Sequence, residues 1–78
     1  MPNIDTFNGI KINVYNNEHL PPHVHAIYNE YEALIEIESF KKYAGDLPPK
    51  QMRQVLVWLK HNSELTLKIF YRLNPRLK

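Results

Sequence analysis

From Gly9 to Tyr15 the chain reads GIKINVY, with Ile10, Ile12 and Val14 alternating against Lys11, Asn13 and Tyr15. Period-two alternation of β-branched residues marks a half-buried strand. Asn16 to Pro22 break it, because two successive prolines cannot donate ladder hydrogen bonds and favour extended or turn geometry. A second strand is expected over His23 to Tyr28 and a third over Tyr31 to Glu38, joined at Asn29-Glu30. An even loop there pairs Tyr28 with Tyr31, Ala26 with Ala33, Val24 with Ile35 and His23 with Glu36. That register gathers Val24, Ala26, Ala33, Ile35 and Ile37 on one face and His23, His25, Glu32 and Glu36 on the other. A slip of one residue would mix the two sets, so the pattern itself specifies the pairing.

Ser39 to Gly45 reads as a short fourth strand or a turn, ending at Gly45-Asp46. Pro48 and Pro49 then announce a helix, since proline is tolerated in a first turn, where its missing N–H has no partner anyway. Met52, Val55, Leu56 and Leu59 keep the spacing of a buried helical stripe, which Trp58 widens, to about His61. Asn62 or Ser63 can cap a further helix with Leu65, Ile69, Phe70 and Leu73 as its apolar side, ended by Asn74-Pro75. The pattern fits two helices or one bent helix. The fold class is α+β: a small antiparallel sheet of three to four strands, packed on one face by one or two C-terminal helices. The apolar hairpin face meets the helical stripe, and the His/Glu face is expected to be open to solvent, substrate or partner.

Length limits this picture to one domain, residues 1–78, because half of so short a chain could not build a core. A domain of this size has thin stability and needs a well-patterned core, a bound metal or a partner chain. The chain has no cysteine, which excludes disulfides, thiolate-bound zinc and a thiol nucleophile. This fits a reducing cytoplasm. The N-terminal stretch has neither a basic start nor an apolar run, and nothing approaches the ~18 apolar residues of a membrane span. A signal peptide and a membrane location are therefore not expected.

Charge changes the picture once it is counted by halves. Residues 1–40 hold one basic residue, Lys11, against six acidic ones, a net of −5. Residues 41–78 hold nine basic residues against Asp46 and Glu64, a net of +7. Lys50, Arg53, Lys60 and Arg72, with Lys68, Arg76 and Lys78, can offer a surface to RNA phosphates or to an acidic protein. They are equally the ordinary residues of solvated helix positions. Tyr28, Tyr31, Tyr43 and Tyr71 can stack on bases, or serve simply as core and interface residues.

The densest chemistry is His19, His23 and His25, three histidines within seven residues. On a strand, positions 23 and 25 point the same way, about 6.5–7 Å apart. Two imidazoles so placed can converge on a metal ion, with His19 or Glu36 as a third ligand. They can also act as a general base and general acid, in RNA cleavage deprotonating a 2′-hydroxyl and protonating the departing oxygen, with Glu36 orienting His23. Or they can be cross-strand partners of glutamates with no chemistry at all. His61, amid the helical pattern, and the pair Glu36 and Glu38 carry weaker signals. The two glycines are far apart, so there is no phosphate-cradling loop, and no nucleophile elbow or zinc-helix motif occurs.

The run MPNIDTFNGIKINVYNNEHLPPHVHAIYNEYEALIEIE, the GDLPPKQ helix entry and the Trp58 helix resemble a family of small bacterial domains of unknown function. Its signature is a strand followed by an acidic residue, a His and P-P-H-x-H, matched here by Glu18, His19, Pro21, Pro22, His23 and His25. The Asn29–Tyr31 segment and the Leu47-Pro48 helix start match too, and Asn29 stands where many relatives carry Gly. The resemblance includes the DhiT-type toxins of bacterial type II toxin–antitoxin modules, encoded beside a small antitoxin. It implies a toxin neutralised by a small protein partner, with His19, His23 and His25 as its characteristic positions, and together with the basic half it points to RNA or the ribosome as the target. It implies no established mechanism or cofactor. A non-enzymatic, His-mediated metal-binding or regulatory module is the competing reading.

Overall fold

Asn8 and Gly9 both take left-handed backbone, at φ 52° and 77°, and so close a tight two-residue turn. The computed structural model describes residues 3–77, and this turn begins its first hairpin. The hairpin joins β1 (Asn3–Phe7) to β2 (Ile10–Asn13). The chain continues through β3 (His23–Tyr28), β4 (Tyr31–Glu36) and β5 (Lys42–Gly45). All five strands form one antiparallel sheet in sequence order. Five strands therefore stand where three to four were expected. The added strand β1 lies before Gly9, and the Ser39–Gly45 segment resolves into a strand beginning at Lys42.

The pairing of β3 with β4 is the one the alternation specifies, from His23 opposite Glu36 to Tyr28 opposite Tyr31. Asn29 sits at φ 52° in the turn, which explains why a residue tolerant of left-handed backbone is needed there.

A single helix, α1 (Pro49–Leu73), covers one face of the sheet, followed by a short 3₁₀ turn at Pro75–Leu77. There is no break at Asn62-Ser63. Instead of capping a second helix, the Asn62 side chain donates to the Trp58 carbonyl, and the Thr66 hydroxyl donates to the Asn62 carbonyl. These polar side chains bond back one turn along the same helix, and the chain continues.

The core is sealed between Ile10, Ile12, Val14, Val24, Ala26, Ala33, Ile35 and Ile37 of the sheet side and Leu47, Val55, Leu59 and Phe70. Met52, Leu56, Trp58 and Ile69 pack against it partly buried. Leu65 does not join them: one continuous helix turns it into solvent, 60% exposed. Trp58 stacks on Phe7 and donates to the Asp5 carboxylate at 2.7 Å, tying α1 to β1. Among the described residues, no helix is long and apolar enough to cross a membrane.

Candidate functional site

The loop between β2 and β3 is held from two sides. The Asn74 side chain, buried at the end of α1, donates to the Tyr15 and Phe70 carbonyls and accepts from the Glu18 backbone N–H at 2.8 Å. At the other end the Pro22 carbonyl accepts from the Ile37 N–H. Glu18 is thereby fixed over the start of β3, where the period of the strand aims His23 and His25 to the same side with ring centroids 5.2 Å apart.

His23 does not lie on an open face. It is 1% exposed, ringed by Phe70 at 5.7 Å, Tyr43 at 5.3 Å and His19 at 5.4 Å. Its Nδ1 is 2.9 Å from the Pro21 carbonyl, which can only accept, so Nδ1 carries a proton. Its Nε2 is buried with no hydrogen-bond partner, 3.4 Å from Glu18 Oε2.

His25 is less enclosed, its side chain 15% exposed. Its Nε2 donates to Glu18 Oε2 at 2.6 Å, and its Nδ1 donates to Glu32 Oε2 at 2.9 Å. The ring meets Tyr15 edge-on at 4.6 Å. Donor atoms of Glu18, His23 and His25 all lie within 4.8 Å of one another.

The other candidate residues contribute no ligand atom to this cluster. Glu36 faces His23 in the backbone register, but its carboxylate accepts from the Ser39 hydroxyl. His19 is exposed, with Nδ1 against the Leu20 carbonyl, and contributes no atom to the converging three. Lys50, Arg53, Lys60, Lys68 and Arg72 are all exposed along the solvent side of α1, with His61 among them. A groove of about 480 Å³ between the β1–β2 turn and the start of α1 is lined by Phe7, Asn8, Lys50, Arg53, Gln54, Val57 and Trp58.

Two contributors escaped the sequence reading as partners of the histidines. Glu18 is five residues before His23 in an aperiodic loop, and Tyr43 lies on a strand without alternation. Burial, then the negative charges of Glu18 and Glu36, hold the Tyr43 phenol above its ordinary ionisation range, so it remains neutral beside the imidazoles.

The model of one protein family, described as a domain of unknown function (DUF4160), matches residues 9–70. The chain belongs to the DUF4160 family. The match runs from the end of the first turn into the last turns of α1, so the DUF4160 segment contains Glu18, His23, His25 and Glu32. No curated protein and no solved structure matches the chain.

Proposed function

We propose that this DUF4160 domain is the toxin component of a bacterial type II toxin–antitoxin module, acting on RNA and neutralised by a small protein partner. The observation that carries the reading is the helix: all five cations of α1 fall on its solvent side, opposite the buried Val55, Leu59, Thr66 and Phe70. Among the described residues none of the five forms a salt bridge, whereas Lys42 is paired with Asp46. From Lys50 to Arg72 they extend over about 33 Å at ~1.5 Å per residue, a basic face interrupted by the exposed Glu64 and able to meet phosphates of one strand. The groove at one end of this face adds Phe7 and Trp58 beside Lys50 and Arg53, the combination that binds single-stranded nucleic acid. Resemblance of the P-P-H-x-H block to that of DhiT-type toxins supports the toxin role.

The acidic strands and the basic helix would then divide the work, the helix holding RNA and the histidine site meeting it or the antitoxin. Induction of the gene alone is expected to arrest growth, and co-expression of its neighbour to restore it. Purified protein is expected to bind a labelled single-stranded RNA with an affinity that falls steeply with salt. For about four neutralised phosphates the logarithmic slope is about −3. The double reversal Arg53→Glu, Lys60→Glu should flatten that slope and relieve the arrest. Normal growth on induction, together with no RNA binding at low salt, would rule the reading out.

A further inference from the structure

We propose that Glu18, His23 and His25 form a binding site for a single divalent transition-metal ion, zinc being the best match. The argument starts from the protons. With Nδ1–H of His23 committed to the Pro21 carbonyl, neutral His23 presents a bare Nε2 lone pair toward Glu18 Oε2 at 3.4 Å. Two acceptors facing each other in a buried place are unfavourable unless something positive lies between them. His25 already donates a proton to that carboxylate oxygen, but the His23 nitrogen itself has no hydrogen-bond partner.

The neighbouring imidazole is arranged for the same job. Glu32 accepts from Nδ1–H of His25, as an outer-shell carboxylate does behind a metal-bound histidine, and this directs Nε2 toward Glu18. Both rings are thus oriented through Nδ1, and both offer Nε2 to one carboxylate oxygen.

The dimensions fit. At ordinary Zn–N and Zn–O lengths of about 2.0–2.1 Å, ligand atoms of a tetrahedral ion are about 3.3 Å apart. The His23–Glu18 separation of 3.4 Å already has that value. The His25–Glu18 separation of 2.6 Å is a hydrogen bond, whose proton an entering cation would replace. Two imidazoles and one carboxylate suit zinc and its first-row neighbours, whereas magnesium and calcium demand mostly oxygen. Three protein ligands also leave one position for water, the arrangement of reactive rather than purely structural zinc.

This inference stands apart from the RNA reading, and its test involves neither toxicity nor RNA. Tag-free full-length protein, stripped with a chelator, should take up one equivalent of zinc by calorimetric titration. Cobalt(II) should give the visible absorption of a low-coordinate nitrogen–oxygen site, and magnesium and calcium should give no signal. Because His23 is part of the packed interior, the decisive variant is Glu18→Gln, on a loop and checked for folding by circular dichroism. It should bind zinc more than about tenfold more weakly, while His61→Ala, on the exposed helix face, should bind as the parent does. Folded parent protein that takes up neither zinc nor cobalt would overturn the proposal, as would equal affinities in Glu18→Gln and His61→Ala.

Discussion

Asn74 holds Glu18 in place: its side-chain oxygen accepts from the Glu18 backbone N–H across 56 residues of sequence. The same side chain donates to the Tyr15 and Phe70 carbonyls, so one buried amide clasps the helix end to the loop that carries the carboxylate. Asn74→Ala should therefore do two things. It should cost about 1–3 kcal/mol of stability by leaving buried groups unpaired, and it should weaken zinc binding without removing a ligand. Urea unfolding and zinc titration read the two effects separately. Unchanged zinc affinity in the folded variant would show that Glu18 needs no clasp.

Glu32 acts through His25. Its side chain is about half exposed, so Glu32→Ala should leave the fold intact. Loss of the outer carboxylate should lower zinc affinity by about 10–100-fold. Measurement against Glu30→Ala, in the adjacent turn, controls for the loss of negative charge alone.

The continuous helix makes opposite forecasts for two apolar residues that the periodicity grouped together. Phe70 is fully buried against the sheet and His23, and Phe70→Ala should cost about 3–5 kcal/mol. Leu65 points into solvent, and Leu65→Ala should change stability by no more than about 0.5 kcal/mol. Equal losses in urea unfolding would mean that the helix is broken near Asn62.

Tyr43 gives the protein a dependence on alkaline pH. Burial first, and then Glu18 and Glu36, raise its ionisation above the ordinary value of 10.0. A group whose folded value is raised contributes stability that is fully present below its unfolded value and is lost as pH rises through the folded one. Stability should therefore decline above about pH 10, and Tyr43→Phe should flatten that part of the decline. An ultraviolet phenolate titration of the parent should show one late-ionising tyrosine that the variant lacks.

The β3–β4 pairing could be read from sequence because a one-residue slip would have exposed Val24, Ala26 and Ile35 together. No such constraint marks the outer strands. β1 offers only Ile4 and Phe7 among polar residues, although Asn8-Gly9 was a usable hairpin signal. β5 is exposed throughout and has no alternation to detect. Asn62 and Ser63 suggested a helix cap, because the polar groups that cap a helix also bond back within one. At the site, His23 and His25 were visible through strand period. Glu18 is marked only by the signature of the resemblance and not as their partner, since its position depends on Asn74, far along the chain, and register alone points to Glu36.

The meander order of the sheet has a consequence for how the molecule comes together. Every strand pairs with its neighbour in sequence, so the hairpins close short loops at small entropic cost. The Asn74 clasp instead joins residues 56 apart, closing a loop that runs from Glu18 to the far end of the helix. On these grounds the imidazoles should take their places with the hairpin, and the carboxylate should be seated only when the far end of the helix docks. A cation held by all three would then act as a latch, closing only over a chain that has finished folding.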